Sequence, residues 1–323
     1  MTKRFIALFI AVLMLLSFAA CGDSSTDETT AETPSTTSYI REIKTNIAAV
    51  DDVTGFGLSK LAKDRDYAYT VNYCDDVQQV KELIRSGKAD VAAMSIADAV
   101  SLYNEGTDIR IVAVNNFASM FVVAKGFDIS EPSHLKGKKI YALNTDLLTE
   151  SFAKTLLADN GIKYEDLDIQ IFGSISEIIA EIEGKSEYVL MIPGVEASKL
   201  PEDEGRRVAL DFTSGWVKQK GSLPVHSVTV ARADFIASNP ELIDEFRMFN
   251  EVSVNFIISN VESGALHLYE ADKMESLEGA MAYLTHYCTL GYAENDKMKT
   301  IATESLQAYG EGELPPDTIY YIN

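Results

Sequence analysis

Short apolar runs alternate with amphipathic ones along most of this chain, and the alternation begins twice. Ile43 to Val50 reads as a strand ending in Asp51-Asp52, and the helix that opens in Thr54-Gly-Phe-Gly-Leu-Ser-Lys-Leu takes Thr54 as its N-cap. Tyr67 to Tyr73 is a second strand. The span Asp76 to Arg85 sets Val77, Val80, Leu83 and Ile84 on one helical face and is stopped by Gly87. Asp90-Val-Ala-Ala-Met is a short buried strand, Ala97 to Asn104 a helix, and Arg110 to Val114 a strand. From Met120 to Ala124 the pattern starts afresh. It runs through the strand Ile140 to Leu143, a helix from Asp146 to Asp159 closed by Asn160-Gly161, and the strand Ile169 to Phe172. A helix from Ser176 to Glu183, the strand Tyr188 to Ile192 and a short helix after Pro193-Gly194 follow, and Val208 to Phe212 is again strand-like. Units of this length imply an α/β fold of two lobes, each a mostly parallel sheet flanked by helices. The chain returns through Val225 to Ala231, and the C-terminal region is helical over Glu241–Ser259, Met274–Thr289 and Glu294–Tyr309.

The N-terminus sets the compartment. Lys3 and Arg4 precede an apolar run from Phe5 to Ala20, and Cys21 follows. A helix of that length reaches about 24 Å, short of a hydrocarbon core of about 30 Å, so the segment reads as an export signal. Ser17-Phe18-Ala19-Ala20-Cys21 resembles a lipoprotein box, which implies residues 1–21 as a signal peptide ending at a lipidated Cys21. Residues 22–38, GDSSTDETTAETPSTTS, hold no apolar side chain larger than alanine. They cannot bury enough surface to offset their ordering entropy and are expected to form a disordered tether.

The net charge of −21 becomes two units more negative when Lys3 and Arg4 are removed. That balance argues against nucleic acid and against electrostatic adhesion to anionic lipid, leaving membrane association to the lipid anchor alone. The remaining cysteines, Cys74 and Cys288, are far apart with no C-x-x-C, and a disulfide between them stays open. His134, His226, His267 and His286 show no H-x-x-x-H pairing, so no metal and no cofactor are expected.

The stretches SGKADVAAMSIADAVSLYNEGTDIRIVAVNNFASMFVVAKG and HLKGKKIYAL resemble the substrate-binding lipoproteins of ABC importers, in the nitrate/sulfonate/taurine and thiamine-precursor class. DDVTGFGLSKL, VALDFTSGW and GELPPDTIYY resemble a clostridial-type branch of that class. The resemblance implies the type II periplasmic-binding-protein fold. Residues 39–117 and 226–323 would form lobe 1 and residues 118–225 lobe 2, with a solute held between them. It also implies an ABC permease and its ATPase as partners, and a monomer. The usual GPTG-like turn is here Asp52-Val53-Thr54-Gly55, which leaves the ligand unassigned.

In open α/β sheets ligands bind beyond the carboxyl ends of the strands. Those loops nominate Asp51, Asp52, Thr54, Gly55, Phe56, Ser95, Asn116, Phe117, Thr145, Asp146 and Glu196 as ligand-binding residues. Trp216 joins them as a stacking surface beside Phe56 and Phe117. Each has a plainer reading: a helix cap for Ser95, Thr145 and the acids, a turn for Gly55, core packing for the aromatics. The five loops after these strands, Asp51–Gly57, Ser95–Asp98, Asn115–Ser119, Asn144–Ser151 and Ile192–Ala197, carry several acids and no Lys or Arg, whereas a sulfonate or phosphate would look for an Arg fork or a Lys. The expected solute is therefore neutral or cationic. Capture by hinge closure is expected near Asn115–Met120 and Ser222–Ser227. The rival readings are a solute sensor without transport and an enzyme on the same fold; no G-x-S-x-G elbow favours the latter.

Overall fold

A computed structural model describes residues 43–310 and 314–323. The export segment, Cys21 and the tether lie outside the described residues.

The chain forms β1 (Thr45–Val50), α1 (Val53–Phe56), α2 (Ser59–Asp64), β2 (Tyr69–Cys74), α3 (Val77–Arg85), β3 (Val91–Ser95), α4 (Ile96–Asn104) and β4 (Ile109–Phe117). It continues through β5 (Phe121–Lys125), β6 (Lys139–Leu143), α5 (Leu147–Asp159), β7 (Asp168–Phe172), α6 (Ile175–Ile182), β8 (Tyr188–Ile192), α7 (Gly194–Ala197), β9 (Arg207–Asp211) and α8 (Phe212–Lys220). Then follow β10 (Val225–Arg232), α9 (Ala233–Ser238), α10 (Pro240–Ser259), α11 (Val261–Glu270), α12 (Leu277–Ala282), β11 (Leu290–Ala293) and α13 (Asn295–Tyr309).

Two sheets result, ordered β11-β4-β10-β3-β1-β2 and β7-β6-β8-β5-β9. They are mixed rather than purely parallel. β1 pairs in parallel with β2 and β3, while β10 runs antiparallel between β3 and β4. In the second sheet β6 is parallel to β7 and β8, and β5 runs antiparallel between β8 and β9. In each lobe the reversed inner strand is the one the chain enters directly after crossing from the other lobe. The two crossings lie side by side, with the Ala118 amide donating to the Pro224 carbonyl at 2.8 Å. This is the two-lobed α/β arrangement expected from the sequence.

Local chemistry explains the elements. β3 and β8 are covered on both faces, so they read as unbroken apolar runs, VAAMS and YVLMI. The edge strand β2 alternates between sheltered and exposed positions. Gly87 and Gly161 take positive φ where α3 and α5 end, as the sequence requires. Three readings are corrected. Asp52, not Thr54, caps α1: its carboxylate accepts the Thr54 amide, two positions earlier than read. Met274–Thr289 is not one helix, because α12 passes into a π-helical turn, Tyr283–Tyr287, ahead of the short edge strand β11. Val208–Phe212 is strand only to Asp211, where an Asp carboxylate caps α8.

One apolar cluster packs α11, α12 and the π turn (Leu268, Ala280, Tyr283, Tyr287) against second-lobe residues Phe121, Leu190 and Ile192, and also contains Phe56 of α1. Gly194 permits this approach, since a Cβ there would stand 2.6 Å from the Tyr287 carbonyl. Among the described residues no helix is long and apolar enough to cross a membrane.

Candidate solute cleft

A cleft of about 1310 Å³ opens between loops of the two lobes. That exceeds the 300–1,000 Å³ or so of a pocket that encloses a small ligand. The first lobe supplies Asp51, Asp52, Val53 and Phe56 after β1 and His226 at the start of β10. The second supplies Asn144 to Asp146 after β6, Gly173 to Ser176 after β7, and Pro193, Glu196 and Lys199 after β8. The α11–α12 connection adds Asp272 to Ser276, with Asp272 held at φ 54.

Helix N-termini face this cleft, and two of them are filled from within the chain. Asp52 Oδ1 accepts the Thr54 amide at 2.8 Å. Asp146 caps α5, accepting the Thr149 amide at 3.0 Å and its hydroxyl at 2.6 Å. Six carboxylates line the cleft against two ammonium groups, and both lysines are already engaged. Lys199 bridges Glu196 at 3.1 Å and Glu275 at 3.8 Å. Lys273, only 6% exposed, meets Asp51 at 2.5 Å and stands 3.1 Å above the centroid of the Tyr73 ring.

His226 faces Asp146 across the cleft, Nε2 to Oδ2 3.5 Å, and its Nδ1 lies 2.7 Å from Ser227 Oγ. Burial alone would raise the Asp146 carboxyl pKa. The hydrogen bond and charge of His226, with the Thr149 donors, instead hold it well below the usual carboxylate range. Burial opposes the imidazolium too, but Asp146, Asp52 and Asp98 outweigh it and raise the His226 pKa. Asp146, His226 and Ser227 stand in line without forming a hydrolytic triad. Ser227 is fully buried, and it meets Nδ1 where an acid-oriented base would offer Nε2.

Of the residues nominated from sequence, Asp51, Asp52, Phe56, Thr145, Asp146 and Glu196 meet at the cleft. The others stand elsewhere. Thr54 is buried, its hydroxyl 3.2 Å from Ser227 Oγ. Gly55 is pressed against the Val50 carbonyl and the Tyr73 ring. Ser95 caps α4 by accepting the Asp98 amide. Asn116 is buried, accepting from Thr289 at 3.0 Å, and Phe117 packs in the core. Trp216 is 1% exposed, set between Phe152 of α5 and Tyr309 of α13 at 5.4 and 5.5 Å between ring centroids. Its size and apolar face were satisfied by the core. Sequence reasoning missed His226, Lys199, Tyr269 and Lys273. They come from a strand start, helix ends and the α11–α12 connection, not from the loops after strands. Among the described residues no group of three or more His, Cys, Asp or Glu side chains is placed to hold a metal ion.

Comparison with known proteins agrees with this architecture. An ABC transporter structure from Parabacteroides distasonis superposes with a TM-score of 0.68 at 14% identity, covering 86% of this chain and 98% of that one. The periplasmic aliphatic sulphonate-binding protein SsuA of Escherichia coli gives a TM-score of 0.63 at 16% identity, covering 83% and 92%. A Candida albicans protein described as having the generic periplasmic binding protein fold gives 0.52 at 13% identity, covering 86% and 93%. At these identities the likeness is one of fold. A search of curated proteins found no match. Residues 70–262, more than half of the chain, match the family model described as NMT1/THI5 like. The chain belongs to the NMT1/THI5-like family and carries the two-lobed type II periplasmic-binding-protein fold.

Proposed function

We propose that this protein is the extracytoplasmic solute receptor of an ABC importer, anchored through a lipidated Cys21, and that it captures a small neutral or cationic solute between its lobes. Residues 39–117 and 226–323 would move against 118–225, with the paired crossings at Ala118 and Pro224 as the hinge. A solute touching both lobes stabilises only the closed form, and the closed form is what a permease and its ATPase would receive. The receptor would act as a monomer and return its solute unaltered.

The charge of the solute rests on one observation: two of the helix N-termini that face the cleft, those of α1 and α5, are already filled by the carboxylates of Asp52 and Asp146. Oxyanions bind helix N-termini because those amides are unsatisfied. Here a sulfonate would meet a carboxylate instead. Two unit charges about 4 Å apart repel by on the order of 4 kcal/mol at an effective dielectric near 20, about a thousandfold in affinity. Among the described residues the cleft lysines are engaged by their own carboxylates and His226 by Asp146, which leaves none of them free to offset this. Asp51, Asp52, Phe56, Thr145, Asp146 and Glu196 would contact the solute, joined by His226 and Tyr269.

Native mass spectrometry of protein purified without denaturation tests this reading, together with calorimetric titration of ethanesulfonate and taurine. The expected result is a retained neutral or positively charged solute and no heat from either sulfonate. Tight, specific binding of ethanesulfonate would overturn the charge assignment, and a chemically altered solute would overturn the receptor role.

A further inference from the structure

His226 and Asp146 belong to different lobes, one on β10 and the other at the N-cap of α5. Their contact is one link in a polar chain that crosses the cleft. Thr54 Oγ1 of α1 lies 3.2 Å from Ser227 Oγ, which lies 2.7 Å from His226 Nδ1, and His226 Nε2 lies 3.5 Å from Asp146 Oδ2. The ring is positioned from behind as well. Tyr309 of α13 donates to the Val225 carbonyl at 2.9 Å, and Ser305 of the same helix accepts the Val225 amide at 2.9 Å.

The charges that act on His226 come from acids on three elements: Asp146 at the start of α5, Asp52 before α1 and Asp98 in the first turn of α4. Asp98 is held by Lys81 of α3 at 2.7 Å. α13 presents hydroxyls to the neighbouring backbone, not charges. The His226 side chain is 13% exposed and that of Asp146 50%, so the pair sits at the mouth of the cleft, reachable by protons but partly screened.

We propose that His226 and Asp146 form a proton-operated latch between the lobes. With the imidazole protonated, its bond to the Asp146 carboxylate fixes the lobe spacing; loss of the proton releases it. The direction follows from a histidine whose proton is favoured by the folded state: the latch is engaged below its titration midpoint and opens as pH rises through it. The latch does not depend on what the solute is, and its test needs none.

The test uses the chain from Gly22 to Asn323 with Cys74→Ser and Cys288→Ser, carrying spin labels at Lys88→Cys in the first lobe and Lys136→Cys in the second. Interlobe distances are measured by pulsed dipolar spectroscopy between about pH 5 and pH 9, and His226 is followed by NMR in the same samples. The expected result is a distance distribution that changes together with the His226 imidazole signal, at a midpoint above that of an ordinary imidazole. His226→Gln and Asp146→Asn should each flatten the distance response. Asp146→Asn should also lower the His226 midpoint by about one pH unit. The proposal is overturned by a wild-type distance that ignores pH, by an equal pH response in either variant, or by a His226 midpoint indifferent to Asp146→Asn. Should one variant fail to fold, the other and the wild-type titration still decide it.

Discussion

Replacing Lys273 by Met removes a cation that the fold holds in a tight place. Its ammonium stands 3.1 Å above the Tyr73 ring and 2.5 Å from Asp51, with 6% of the side chain exposed. A desolvated cation–π contact contributes about 2 kcal/mol, whereas an ion pair to a half-exposed carboxylate adds at most about 1 kcal/mol. Methionine keeps the apolar stem, so little packing is lost. The expected destabilisation is about 2–3 kcal/mol, a fall in Tm of roughly 4–8 °C. Equilibrium urea unfolding of Lys273→Met, Tyr73→Leu and the double variant isolates the ring–ammonium contact, with an expected coupling of about 1–2 kcal/mol. A coupling within the roughly 0.5 kcal/mol scatter of independent sites would refute the reasoning. It would mean that Lys273 stabilises through Asp51 alone.

Three further outcomes are expected. Burial, followed by the charges of Lys60 and Lys63, holds His267 below the ordinary imidazole value, so the unfolded chain takes up a proton first as pH falls. Stability should drop below about pH 6.5, and His267→Gln should remove that part of the slope when urea midpoints are compared on either side. Gly194→Ala places a methyl 2.6 Å from the Tyr287 carbonyl and 2.9 Å from the Phe121 ring. It should cost about 1–3 kcal/mol, read as a lowered thermal midpoint. Cys21→Ala should abolish incorporation of labelled palmitate and release the protein from the membrane fraction; unchanged labelling would remove the lipid anchor from the proposal.

Strands buried on both faces were legible because five-residue apolar runs with β-branched and aromatic side chains, such as YVLMI, fit a sheet interior better than a helix. β11 was not. Its four residues follow a helical pattern, and pairing with β4 alone makes them a strand. The doublet Asp51-Asp52 ahead of Val53-Thr54 offered several caps, and side-chain reach chose Asp52. α11 and α8 escaped for different reasons. α11 follows α10 with only Asn260 between them, and α8 begins where a strand-like run was still being read. The acids after β1, β6 and β8 line the cleft where the rule that ligands gather beyond strand ends puts them. Lys273 and His226 obey no such rule, since their distance from those loops is set by how α11 and β10 pack. Trp216 failed as a stacking candidate because aromatic identity says nothing about which way a helix faces.

Trp216 has another use. It is the chain's one tryptophan, and its neighbours Phe152 and Tyr309 belong to α5 and α13, on opposite sides of the proposed hinge. Fluorescence excited at the red edge of protein absorption therefore comes from a single indole, wedged where the halves meet. Under the proposed hinge closure, a solute that draws them together would change that indole's surroundings and give an unlabelled optical gauge of closure.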